Sequence, residues 1–284
     1  MSRGRATAIG VGAVLLWAAL ALFTVAVGPV PPFQLLAMCF AISGALGIGW
    51  MALSGEGIAV LRGLPRSVWA IGIGGLFGYH FFYFTALRLA PPAQASLVAY
   101  LWPLLIVLLS GLLPGERLRR THVAGAVLAF AGAALVVAGP GAAFSLSYLP
   151  GYAAAAACAL IWSAYSLLSR RHGTAPTATV AVFCLATAGL SLAAHLALEA
   201  TVWPANTAAW AALAALGLGP VGLAFYLWDI GVKHGDIQLL GTASYAAPLI
   251  STLVLIAAGH ASPTPALVVA AVMITGGALL AARA

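Results

Sequence analysis

Charge is scarce in this sequence. Of its 284 residues 12 are Lys or Arg and only five are Asp or Glu, so 6% are charged, against about 25% in an average soluble domain. A soluble globule of this size could not cover its surface with so few charges. Catalytic signatures are missing too. There is no His-Glu-x-x-His, no pair of aspartates within an apolar run, no Walker loop and no Gly-x-Ser-x-Gly, which leaves an intramembrane hydrolase or an ATP-driven pump without machinery. The chain is read as a non-enzyme with no cofactor. Cysteines number three, Cys39, Cys158 and Cys184, all inside apolar runs. They form neither a disulfide framework nor a metal-ligand cluster, and read as small buried hydrophobes.

What the sequence has instead is apolar length. Runs of about 20 residues fall at about 6–27, 32–53, 67–89, 92–112, 121–139, 150–170, 177–198, 207–232, 236–258 and 263–282. At 1.5 Å per residue each crosses roughly 30 Å of hydrocarbon. The breaks carry turn chemistry, as at Gly28-Pro29, Pro91-Pro92, Pro114-Gly115, Gly139-Pro140-Gly141 and Gly235-Asp236. Lipid cannot satisfy backbone N–H and C=O groups, and no ten-residue alternation suggests a barrel, so these runs are helices. The first follows Arg3 and Arg5 as a signal peptide would. It is longer than a signal core, lacks a clear cleavage site, and is read as the first span.

Orientation comes from the basic residues. With the N-terminus inside, eleven of the twelve fall on the inner side and only Arg88 outside. This bias places both termini in the cytoplasm. It also accounts for the net charge of +7 without a nucleic-acid partner. Sliding the sequence against itself by 145 residues brings Trp17 onto Trp162, Pro31 onto Pro176, Gly72 onto Gly217, Arg88 onto Lys233, Tyr100 onto Tyr245 and Pro103 onto Pro248. Five spans per half means that the second half enters the membrane upside down. The expected fold is therefore an all-α integral membrane protein of ten transmembrane helices, a 5+5 inverted repeat with residues 1–145 and 146–284 as its halves. Secondary transporters are often built this way, with the substrate between the halves near the midplane.

Candidate site residues are those that are anomalous at mid-depth. Pro103 and Pro248 each remove a helix hydrogen bond and are expected to free the carbonyls of Ala99 and Ser244, with Tyr100 and Tyr245 three residues before them. His80, bordered by Tyr79 and Tyr83, is a midplane imidazole, costly unless it faces protein or water. Because no buried acid accompanies it, a hydrogen-bonding role is favoured over proton carrying. Trp17, Trp102 and Trp162 lie too deep to be interfacial anchors and suggest a ring-lined cavity. The candidate substrate site is thus Trp17, Tyr79, His80, Tyr83, Tyr100, Trp102, Pro103, Trp162, Ser244, Tyr245 and Pro248; no metal site is expected. Gly74 and Gly78 are expected to give span 3 a close-approach face. Asp229 and Lys233 read as an i,i+4 pair at the interface, preferred to a coupling-proton role for Asp229, Glu116 as a solvated loop acid, and His195 as without chemistry.

The stretch from Thr85-Ala86-Leu87-Arg88 through Tyr100-Leu101-Trp102-Pro103-Leu104 to Pro114-Gly115-Glu116-Arg117 resembles the signature of the drug/metabolite transporter superfamily, EamA type. The second half repeats it from Lys233 to Pro248, with Gly259-His260 where Gly-Glu is expected. Tyr100-Leu101-Trp102-Pro103 and Trp228-Asp229-Ile230-Gly231 further resemble the aromatic amino acid exporters of that superfamily, YddG-like in type. The resemblance implies export of aromatic and other neutral amino acids from the cytoplasm by alternating access. The cavity would be lined by spans 1, 3, 4, 6, 8 and 9, in a monomer spanning a bacterial inner membrane. Export of other small metabolites or drugs, or a passive channel, are the alternatives. A channel should show repeated polar rings along one axis, whereas the polar groups here cluster at mid-depth.

Overall fold

A computed structural model describes residues 1–54, 57–138 and 144–283, with the side chain of Ala138 left aside. The Gly139-Pro140-Gly141 break lies outside the described residues. Among those described there is no strand, and ten helices are long and apolar enough to cross a membrane. Span 1 is Arg3–Val27, span 2 Pro32–Leu53, span 3 Arg66–Leu89, span 4 Pro92–Ser110 and span 5 Arg120–Val137. Span 6 is Leu146–Arg171, span 7 Thr179–Leu198, span 8 Thr207–His234, span 9 Ile237–Ala257 and span 10 Pro265–Ala282. Every expected apolar run is one of these helices, with ends shifted by no more than a few residues.

Four spans are interrupted, and the interruptions shape the interior. Span 1 breaks at Ala19, two residues past Trp17. Span 4 divides into Pro92–Ala99 and Trp102–Ser110, and span 9 into Ile237–Ala243 and Ala246–Ala257. Both of these breaks sit just ahead of the prolines that cannot donate to the helix ladder. Span 8 carries a π-helical turn over Gly219–Leu223. Pro220 withholds its N–H there, and such turns are frequent at functional sites.

Helices that pack closely do so where glycine leaves room. A Cβ on Gly277 of span 10 would lie 2.4 Å from the Gly125 carbonyl of span 5. In span 3 the close contacts are not at the expected Gly74 and Gly78. Gly74 has nothing within 4 Å of an added Cβ, whereas Gly75 lies against Tyr165 and Gly72 against the ring of Phe183. The helix turns its 72/75 face inward, and the small-xxx-small spacing mistook the rotation by one residue.

Two ionic clusters mark the ends of the bundle. At one face the half-buried Glu116 has its side chain, 8% exposed, between Arg3 and Arg170, with the Gln238 amide turned towards it. Arg3 also reaches Asp236 at 3.1 Å. The Glu116 carboxyl is disfavoured by burial, but the Arg170 guanidinium, helped by Arg3, holds it below the usual carboxylate range. Glu116 is therefore not the solvated loop acid its neighbours Arg117, Arg119 and Arg120 suggested. At the opposite face the Glu199 side chain, 3% exposed, accepts from Arg88 at 2.9 Å and from the backbone N–H groups of Phe33 and Gln34 at the start of span 2. These are named below the Glu116 face and the Glu199 face.

Candidate functional site

Between the two faces lies a cavity of about 480 Å³, within the range of small-molecule sites. Its wall takes Trp17 and Thr24 from span 1, Leu36 and Cys39 from span 2, and Tyr79, His80, Tyr83 and Leu87 from span 3. Tyr100 and Trp102 come from span 4, Trp162 from span 6, Leu216, Pro220 and Phe225 from span 8, and Ala247 and Ser251 from span 9. The helix breaks in spans 1, 4 and 8 border it, and span 9 reaches it just past its break, at Ala247. Span 2 contributes as well, beyond the six spans anticipated.

The cavity floor is aromatic. Trp17 lies 6.3 Å from Trp102 and 5.7 Å from Trp162, centroid to centroid, both edge-to-face. Trp102 and Trp162 are 6.2 Å apart. Beneath them Trp228, fully buried, lies 5.1 Å from Trp17, and its indole N–H donates to Ser166 Oγ at 3.1 Å. Edge-to-face rings offer a positive rim to a neighbour's π face, so such a floor favours a planar apolar group laid against it.

His80 stands on the wall with Nδ1 2.7 Å from the Leu76 carbonyl of its own helix. A carbonyl can only accept, so Nδ1 carries the proton and Nε2 is left as an acceptor. The ring packs against Tyr79, Phe40 and Phe225 at 5.0, 5.3 and 6.1 Å. A neutral imidazole has one donor and one acceptor, and here the donor is already used. The remaining polar wall is Thr24, Ser251, Tyr79, Tyr100 and Tyr83, whose hydroxyl lies 3.2 Å from Ser96 Oγ.

Seven of the eleven sequence-derived residues meet at this cavity: Trp17, Tyr79, His80, Tyr83, Tyr100, Trp102 and Trp162. Pro103, Ser244, Tyr245 and Pro248 do not line it and are buried in packing behind. The Ser244 carbonyl is not free, since the Ala247 N–H donates to it at 3.1 Å, and the Ser244 hydroxyl donates to Leu240. The Tyr245 hydroxyl accepts from the Leu104 N–H at 3.0 Å, so it caps the second segment of span 4 across to span 9. Reading the prolines by the carbonyls they free overlooked, in span 9, that a short 3₁₀ turn takes the Ser244 carbonyl up again. Phe225, Phe40 and Trp228 went unremarked as site residues, because an aromatic in an apolar run is no anomaly. For Phe225 and Trp228 a signal lay in the 145-residue shift, which pairs them with His80 and Tyr83; Phe40 pairs with Leu185 and carried none.

The cavity lining runs from the tryptophan floor to Val30, Pro32 and Leu87 near the Glu199 face, and includes no residue of the Glu116 cluster. Below the floor the chain is closed. A Cβ on Gly231 would sit 2.6 Å from the Gly10 Cα. The Asp236 N–H donates to Thr7 Oγ1 at 2.8 Å, and Arg170 Nη1 donates to the Val232 and Gly235 carbonyls at 2.8 and 2.9 Å. Among the described residues no group of His, Cys, Asp and Glu could hold a metal ion.

Comparison with known proteins agrees along the whole chain. The model of the EamA-like transporter family matches residues 5–138 and again 149–283. The aromatic amino acid exporter YddG of Ancylobacter novellus is 58% identical over 283 residues, spanning 99% of this chain and 98% of that one. The exporter of the same name from Salmonella typhimurium is 28% identical over 271 residues, 89% of this chain and 88% of its own. A solved crystal structure with 57% identity superposes at a TM-score of 0.95, covering 99% of both chains. A family model matched over nearly all of its length, and a relative sharing more than half its residues, leave one assignment: the chain belongs to the EamA-like transporter family.

Proposed function

We propose that this multi-pass bacterial inner-membrane protein exports aromatic and other neutral amino acids from the cytoplasm by alternating access. The observation that carries the reading is the cavity itself, a ring-lined pocket with a sparse polar wall and no charged side chain among its lining residues. A zwitterion has no net charge to neutralise, so such a wall suits it better than an anion or a cation. The aromatic side chain would lie against Trp17, Trp102 and Trp162, and the ammonium would donate to His80 Nε2. Tyr79 and Tyr100 are the nearest candidates for the carboxylate. The relatives named as aromatic amino acid exporters support the same substrate class.

The two halves, residues 1–145 and 146–284, are read as inverted repeats. The double match of the family model supports this. So does the pairing at the cavity, where Trp17 and Trp162, His80 and Phe225, and Trp102 and Ala247 are equivalent under the 145-residue shift and all line one space. The Glu199 face is read as outward and the Glu116 face as cytoplasmic, with the basic-residue bias as support. The protein works as a monomer in this reading, because the cavity is complete within one chain.

The direct test is efflux of labelled tryptophan, phenylalanine and threonine from proteoliposomes holding the purified protein. Saturable efflux of tryptophan that unlabelled phenylalanine inhibits is expected. Efflux that neither saturates nor shows competition would instead indicate a passive channel.

A further inference from the structure

Asp229 is buried in span 8, away from the substrate cavity, with 1% of its surface exposed. Its Oδ2 accepts from Lys233 Nζ at 2.8 Å and from Thr177 Oγ1 at 2.7 Å, while its Oδ1 has no hydrogen-bond partner. A carboxylate has about four lone-pair sites, and leaving one oxygen bare in the interior is costly. The pair with Lys233 is as the sequence suggested, but it is enclosed rather than interfacial.

Further buried polar atoms without partners lie on the neighbouring helices. The Tyr165 hydroxyl of span 6 is one, within electrostatic reach of both Asp229 and Cys184, with Ser169 nearby but out of bonding geometry. Thr187 Oγ1 and Ser191 Oγ of span 7 are two more. Hydroxyls in apolar helices usually donate back to the carbonyl four residues earlier. Thr7, Thr24, Thr85, Thr242, Ser244 and Thr252 all do so here. Thr187 and Ser191 depart from that habit.

These groups fall in line. Cys184, Thr187, Ser191 and His195 occupy one face of span 7, about 80° wide at 3.6 residues per turn, and all four are buried. Cys184 Sγ lies 3.2 Å from Ser43 Oγ of span 2, and the Tyr226 hydroxyl of span 8 donates to the Ser43 carbonyl. At the outer end His195 Nδ1 is 3.0 Å from Glu199 and Nε2 is 2.9 Å from Thr201. Glu199 in turn meets Arg88 and the span 2 N–H groups. Steps of three to four residues along the helix are about 4.5–6 Å, the length one bridging water spans with two hydrogen bonds.

Resting on the exporter reading above, we propose that Asp229 is a proton-binding site, served from the Glu199 face by this polar track, and that one proton is exchanged for each amino acid exported. The proton passes from the His195–Glu199 pair along Ser191, Thr187 and Tyr165 to Asp229 Oδ1. Lys233, fixed on the far side of the carboxylate, bars a continuous path to the Glu116 face, so the track is a half-channel and not a leak. Protonation leaves Lys233 with the Ala175 carbonyl as its remaining partner. Lys233 sits two residues before the Gly235-Asp236 turn that Arg170 and Thr7 hold at the Glu116 face. Arrival of the proton is thus felt where that face must open. The proton leaves when Asp229 re-pairs after opening, and each cycle moves one net positive charge against a zwitterion.

The test uses the full-length protein in proteoliposomes with a trapped pH dye. In the wild-type protein an imposed pH difference should drive tryptophan against its gradient, with matching proton flux. Asp229→Asn should keep tryptophan–tryptophan exchange without a gradient yet lose at least tenfold of the driven accumulation. A second variant, Thr187→Val with Ser191→Ala, should slow substrate-dependent proton flux several-fold while exchange is unchanged. If Asp229→Asn fails to exchange at all, this double variant decides, and an unaltered proton flux in it overturns the proposal. Wild-type protein that exchanges tryptophan but never accumulates it under a pH difference also overturns it. Absence of any exchange in the wild type would sink the exporter reading itself.

Discussion

His80 uses its Nδ1 proton on the Leu76 carbonyl, which turns a versatile side chain into a single acceptor facing the cavity. His80→Gln keeps an acceptor and should retain much of the transport. His80→Phe copies its counterpart Phe225 and removes the acceptor. A hydrogen bond to a charged group is worth about 1.5–3 kcal/mol, so apparent affinity for tryptophan should fall roughly 10- to 100-fold. Competition binding of labelled tryptophan to the two purified variants checks this; equal loss in both would assign His80 a packing role instead. Trp102→Ala removes an edge-to-face neighbour, with ring pairs worth about 0.5–1.5 kcal/mol. Tryptophan efflux should suffer more than threonine efflux, and loss in equal measure would point to a folding defect. The residues legible in the sequence were those out of place in lipid. A histidine at mid-depth or a tryptophan far from the interface demands an explanation that Phe225, Phe40 or an ordinary leucine does not. Thr187, Ser191 and His195 were legible as letters but not as a track, since only packing shows that their hydroxyl and ring atoms share one buried face.

At the scale of helices, the prolines announced the breaks in spans 4 and 9, and the breaks sit just ahead of them. Glu116 was misread because its sequence neighbours are arginines bound for water, whereas its partner Arg170 arrives from span 6, 54 residues away. No local pattern carries that contact. The cluster joins the N-terminus of span 1, the loop after span 4, the end of span 6 and the turn before span 9, so it locks the Glu116 face shut. Glu116→Gln should loosen it and populate the state open to that face. The carboxyl is held below the usual range of about 4.3, so its stabilisation is complete at neutral pH and is lost only as pH falls through that depressed value. The effect of Glu116→Gln should therefore be constant between pH 6 and 8. Gly231→Ala attacks the same closure sterically, with a Cβ 2.6 Å from the Gly10 Cα. Overpacking of this kind costs about 1–3 kcal/mol. Both variants should raise the reactivity of a cysteine placed at Thr7 towards a soluble maleimide, and unchanged labelling would place the lock elsewhere.

For the molecule as a whole, period and charge made the ten spans legible, because hydrocarbon thickness fixes helix length, and the constant shift of 145 residues is what the reading of two inverted halves rests on. What neither could convey is the state of the transporter. The cavity reaches towards Arg88 and Glu199 and is sealed towards Glu116, and which of these faces is outside is a matter of the basic residues alone. Reporter fusions after Gly28 and Thr201 should read outside, and fusions after Arg66, Arg171 and Gly235 inside. Of the three native cysteines, all buried, Cys158 and Cys184 lie off the cavity and Cys39 lines it, so in a Cys39→Ala background a single introduced thiol can be tracked. A cysteine at Leu87 or Thr24, on the cavity wall near the Glu199 face, should react in intact cells with an impermeant maleimide, and excess tryptophan should protect it. A cysteine at Arg117, just past the sealed face, should react only after the cells are opened. Labelling of Arg117→Cys in intact cells, with Leu87→Cys silent, would reverse the orientation. The positive bias would then have to be explained by something other than the side of synthesis, and the cavity would be a cytoplasmic vestibule ready to load.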